Sequence, residues 1–158
     1  MSRAREVGDN ISYHLDSDES LDAGGYCLTT GDDDGDTVKK TDSASATFLG
    51  TNQKSSAEVV GMRREELNTG GGPRPYADED GQGGMAVEQD GVVMMRCETG
   101  NDYAMGDAVY LSSTNGVANN SDSGSNTQVG VVSRSVDHSD TSGDVALVAV
   151  NITGYVGN

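Results

Sequence analysis

The densest chemistry in this chain is acidic. Asp32-Asp33-Asp34-Gly35-Asp36 sets carboxylates at alternating positions, and Asp32, Asp34 and Asp36 could surround a hard cation such as calcium. The sixth position of such a loop is Thr37 rather than glycine and the twelfth is Ser43 rather than glutamate, so this is no EF-hand. The three aspartates stand as weak metal candidates, and a solvated acidic turn is the plainer reading. Asp137-His138-Ser139-Asp140 brings an acid, an imidazole and a hydroxyl together. Neighbours on one tight turn rarely converge on a point, and catalytic triads are assembled from distant segments. No G-x-S-x-G elbow occurs. His14, between Tyr13 and Leu15, reads as a strand residue. The runs Gly70-Gly71-Gly72 and Gly81-Gln82-Gly83-Gly84 lack the Lys-Ser/Thr of a phosphate loop. Cys27 and Cys97 lie too far apart for a cysteine zinc motif, and both sit in apolar contexts where a buried free thiol is the default. A disulfide joining the two β regions is the alternative. Three Asn-x-Ser/Thr matches, at Asn10, Asn119 and Asn151, are what chance gives in a chain rich in these residues. These residues predict no enzyme and no cofactor.

The elements around these residues are β-strands. Val109-Tyr110-Leu111, Val129 to Val132 and Val145 to Ile152 are β-branched or aromatic segments bounded by Gly, Asn, Ser and Asp, the pattern of half-buried strands. A fainter copy lies earlier. Gly24-Gly25-Tyr26-Cys27-Leu28, Thr37-Val38-Lys39-Lys40 and Thr47-Phe48-Leu49-Gly50 parallel Gly106 to Leu111, Gly116 to Asn119 and Gln128 to Val131. The expected organisation is a flexible arm over 1–10 and a single β domain over 11–158. Within it, 11–52 is a first β region, 53–84 a linker with one short helix over 54–68, and 85–156 a second β region. The stretch 85–98 reads as one strand. The fold class is all-β, a small barrel or sandwich of β-tulip type with at most one or two short helices and long polar loops.

Charge narrows the partners. The chain has 158 residues and a net charge of −16, with 26 acidic residues against 10 basic ones, of which only three are lysine. At about 1 M salt the Debye length is ~3 Å, so the self-repulsion of such a chain is screened in brine. This composition predicts a halophilic environment. It disfavours nucleic acid as a partner, since phosphate backbones are repelled. No apolar run approaches the ~20 residues that cross a bilayer, and MSRAREVGDN has no apolar segment behind its arginines, so neither membrane nor secretion signal is expected. With one Phe and no Trp the core is thin, which predicts self-association.

Gly106-Asp107-Ala108-Val109-Tyr110, then Gly116-Val117, then Val129-Gly130-Val131-Val132, ending in Val145-Ala146-Leu147-Val148, resembles the head decoration (cement) proteins of tailed viruses. The resemblance covers about residues 88–152, and the acidity suggests a virus of halophilic archaea. It implies synthesis in the host cytoplasm and a place on the capsid exterior. It also implies the major capsid protein as partner, a homotrimer as the oligomer, and a stabilising rather than catalytic role. Arg3, Arg5 and the pair Arg63-Arg64 are the concentrated positive charge on an acidic molecule, and are the candidate contacts to acidic capsid subunits. The alternative is another virion surface part, a turret, tail or spike module binding host glycans, with Tyr76 and Tyr103 as the loop aromatics that would serve it.

Overall fold

The computed structural model describes residues 10–33, 36–56, 85–143 and 145–157. Twelve strands account for its regular structure: β1 (Asn10–Leu15), β2 (Cys27–Thr30), β3 (Thr37–Lys40), β4 (Gly50–Asn52), β5 (Met85–Glu88), β6 (Val92–Cys97), β7 (Asp102–Tyr103), β8 (Ala108–Leu111), β9 (Ala118–Asn119), β10 (Gln128–Val132), β11 (Val136–Asp137) and β12 (Ala146–Asn151). They close two five-stranded barrels, β1-β3-β2-β4-β5 and β10-β12-β6-β9-β8, with β7 and β11 as a separate two-stranded ribbon. The all-β barrel class expected from the valine-rich segments is the observed one.

Alternation builds each wall. In β12, Ala146, Val148 and Val150 point inward while Leu147 and Asn151 are exposed. It pairs along all six residues with β6, whose Val93, Met95 and Cys97 fill the same core. A period of two is what one wet and one dry face require.

The two barrels are the same barrel. In each, the first strand runs parallel to the third, and every other pairing around the ring is antiparallel. Their registers correspond as well. Leu15 opposite Val38 is repeated by Cys97 opposite Ala118, Leu28 opposite Gly50 by Val109 opposite Gly130, and Asn52 opposite Val87 by Val132 opposite Val150. Hydrogen bonds outside the ladders recur too: Gly25 N–H to Asn52 O (2.8 Å) and Gly106 N–H to Val132 O (2.9 Å), Asp16 N–H to Val38 O (3.1 Å) and Glu98 N–H to Ala118 O (2.9 Å). Gly25 and Gly106 share a positive φ, 90° and 97°. The faint repeat in the sequence is therefore a repeat in three dimensions, with one shift: Val38 matches Ala118 rather than Val117.

Two strand assignments differ from the sequence reading. The stretch 85–98 is two strands, not one, because Gly91 (φ 83°) turns the chain between them. β5 pairs with β1 and β4 and closes the first barrel, so the second barrel opens at Val92. The expected strand over 47–50 begins only at Gly50, since Phe48 leaves the first barrel and is buried in the core cluster of the second together with Cys27. Thr127 N–H to Ala44 O (2.8 Å), Cys27 N–H to Gly116 O (2.9 Å) and Gly157 N–H to Phe48 O (2.8 Å) tie the barrels further. The helix expected over 54–68 lies, from residue 57 on, outside the described residues.

Candidate functional site: the groove between the barrels

The acidic turn is held together from within. Asp16, 1% exposed, accepts the N–H groups of Asp32 (2.7 Å) and Asp33 (3.3 Å). Burial acts to raise its carboxyl, but these donors, the Thr37 hydroxyl and the charge of Lys39 together hold it below the ordinary carboxylate value. The Asp32 carboxylate is taken by Lys39, whose Nζ lies 2.9 Å from it and 2.8 Å from Asp42. The hydrogen bonds of Asp42 and then Asp32 hold that ammonium above its ordinary pKa. Asp36 is exposed, and Asp34 lies outside the described residues. Among the described residues no cluster of three or more His, Cys, Asp or Glu is arranged to hold a metal.

His138 does not face Ser139. Its Nε2 is 3.1 Å from the Leu147 carbonyl oxygen, which only a protonated nitrogen can bond, and its Nδ1 is 3.0 Å from the Thr141 hydroxyl. Ser139 Oγ instead donates to Asp137 (2.6 Å), and that hydroxyl keeps the Asp137 carboxyl below its ordinary value. The imidazole ties its own turn to β12. His14 sits on β1, as its neighbours suggested. Cys27 and Cys97 are both free and fully buried. Burial pushes the Cys97 thiol up to about 12 and Cys27 well above its usual value, so neither is poised as a nucleophile.

Tyr103 corrects the sequence reading. It was expected as a loop aromatic available to a ligand, but it is fully buried on β7, and its hydroxyl donates to the Glu98 carbonyl at 2.6 Å. Burial in the core raises its hydroxyl to about 12. Tyr76, Arg3, Arg5, Arg63 and Arg64 lie outside the described residues.

What the structure adds is a groove of about 460 Å³ where the barrels meet. One wall comes from the first barrel, residues 23–25, 51–53 and Glu88; the other is the outer face of β6 and β12, with Val92, Met94, Arg96 and Leu147. Val92, Met94 and Leu147 are 57%, 54% and 48% exposed. At the groove's base Gly25 O accepts the Arg96 N–H (2.9 Å), and the Arg96 guanidinium lies 4.7 Å from the centre of the Tyr26 ring. Lys40 stacks at 5.0 Å from the same ring. The Tyr26 hydroxyl donates to Asp22, lowering that carboxyl, while burial and then this hydrogen bond raise the Tyr26 hydroxyl. The sequence carried a sign of this surface: Val92-Val93-Met94-Met95 is apolar on both faces, whereas a barrel strand with one wet face alternates.

Residues 76–150, just under half of the chain, match the family described as Phage cement protein. No curated protein matches the chain. The matched segment runs from before β5 to the end region of β12 and so carries the groove's apolar wall. Similarity to a structural family, joined to a twin-barrel all-β fold, supports a viral structural role of the decoration kind and a protein that is not an enzyme.

Proposed function

We propose that this chain is a capsid-decoration protein that binds the outside of the capsid lattice and stabilises it against internal pressure. The observation that carries this reading is the match of residues 76–150 to the phage cement family. Its partner in this reading is the major capsid protein, and the protein acts as a homotrimer. Phe48 and Cys27 of the first half pack into the core of the second barrel while the first keeps a core of its own, and on this reading the two work as a single β domain with residues 1–10 as its arm. Arg3 and Arg5 in that arm, and Arg63-Arg64, offset the repulsion between two acidic surfaces by contacting capsid carboxylates. A net charge of −16 suits a virus of halophilic archaea, with the protein synthesised in the host cytoplasm. The test is reconstitution. Particles stripped of this protein should bind it to saturation and then retain their DNA to a higher temperature. Particles that neither bind it nor gain resistance would remove the reading.

A further inference from the structure

The shared barrel plan supplies an internal control for every surface position. By register, Val92 and Met94 in β6 correspond to Asn10 and Ser12 in β1, and Asn151 corresponds to Glu88. The first barrel thus closes with polar residue types at these register positions. Val92 and Met94, joined by Leu147 from β12, are not required by the fold, and single scattered apolar residues would not share one groove. Something other than barrel closure accounts for them.

The charge beside them selects the partner. Arg96 lines the same groove, and among the described residues it has no ion-pair partner; its Nε is buried with no hydrogen-bond acceptor. Stacking on Tyr26 orients the guanidinium without neutralising it, and although Asp22, bonded to the Tyr26 hydroxyl, feels its charge, no carboxylate among the described residues bridges it. A carboxylate is the ligand a guanidinium edge fits best. Glu88, on the opposite wall, excludes a second carboxylate there and so sets the polarity in which a partner can enter. Size selects further. A standard interface takes ~800 Å² from each partner, far more than three half-exposed side chains supply, so a second copy pressed flat on this face is not the fit. A short extended segment is.

We propose that the groove is the docking site for an extended segment of the capsid subunit, with apolar side chains set on Val92, Met94 and Leu147 and a carboxylate bonded to Arg96. This rests on the decoration reading for the identity of the partner. Between two acidic surfaces in brine, apolar contact is strengthened by the salt that screens their repulsion, and one buried charge pair fixes the register.

The test uses the full chain and particles stripped of it. Met94→Asp and Leu147→Asp should each lower particle occupancy at a fixed protein concentration by ~10-fold or more, as truncation at an interface centre does. Arg96→Met should lower it less at high salt than at low. Thermal unfolding of the Met94 and Leu147 variants, and sedimentation of all three free proteins, should be unchanged. If Met94→Asp misfolds, Met94→Gln and Leu147→Thr carry the same comparison with less strain. Wild-type binding with equal binding of all variants would overturn the groove proposal and leave the decoration reading standing. Failure of the wild type to bind would remove both. A changed oligomeric state with unchanged occupancy would make a second copy the occupant, and faster proteolysis within 57–84 with unchanged occupancy would make that segment the occupant; either overturns the proposal.

Discussion

Asp16 shows how a single carboxylate can organise a loop whose own acids look more prominent. It is buried while Asp32 and Asp33 around it are exposed, and it accepts their backbone N–H groups. Replacing it by Ala should cost ~1–3 kcal/mol, the penalty for leaving buried donors unpaired. Its folded carboxyl is held below the ordinary value, so its contribution is present above the unfolded pKa of ~3.9 and is lost as pH falls through the folded one. The gap in unfolding temperature between wild type and Asp16→Asn should therefore be full at pH 6 and close below about pH 4. A gap constant across that range would mean the carboxylate's charge does not matter. Gly31 reports on the same turn, since a Cβ there would collide with the Asp16 carboxylate and the Thr37 hydroxyl.

At the level of elements, two glycines reveal why the barrels match. A Cβ on Gly50 would press into the Glu88 carbonyl and reach 2.9 Å from Val87 Cγ1; on Gly130 it would press into the Asn151 carbonyl and reach 2.6 Å from Val150 Cγ1. The same crossing of strands forbids a side chain at the same place in each ring. Gly130→Ala should destabilise by ~1–3 kcal/mol in denaturant unfolding through contact alone and Gly50→Ala, which adds a positive φ of 122°, by more, while Gly124→Ala, which meets no atom within 4 Å, costs only the ~1 kcal/mol of its positive φ. Equal losses at all three would contradict the register argument. The strands of the second barrel were legible because β-branched residues alternate there. The first barrel was harder, since its strands are short and use Thr, Lys and Asn where the second uses Val and Ala. Its closing strand, β5, merged in sequence with β6 because both are apolar and only Asp90-Gly91 marks the turn. Tyr103 misled for a related reason: a two-residue strand has no periodicity to declare which way its aromatic points. Only one wall of the groove left a trace, in the run Val92 to Met95, because the groove joins residues from both barrels and nothing local relates residues 23–25 to Leu147.

The whole molecule balances two small cores, tied together by Phe48 and Cys27, against a large negative charge. With Phe48 and Cys27 from the first half packed into the core of the second, the two barrels should unfold together in one transition. A net charge of −16 opposes that compact state in dilute buffer. Raising KCl from 0.1 M to 2 M should lift the unfolding midpoint by at least ~4 °C, equivalent to about 1–2 kcal/mol for a chain of this size. A midpoint indifferent to salt would show that the charges are spaced widely enough not to act on stability. In the proposed role the same charge bears on assembly, because two acidic surfaces associate only where screening, apolar contact and a few placed cations outweigh repulsion.

The central claim, a decoration protein spread over the capsid lattice, is tested most directly by quantitative mass spectrometry of purified virus particles. The ratio of this chain to the major capsid protein is predicted to be near one; a ratio of a few per cent would mean a part confined to vertices or tail, and absence from the particle would contradict the account outright.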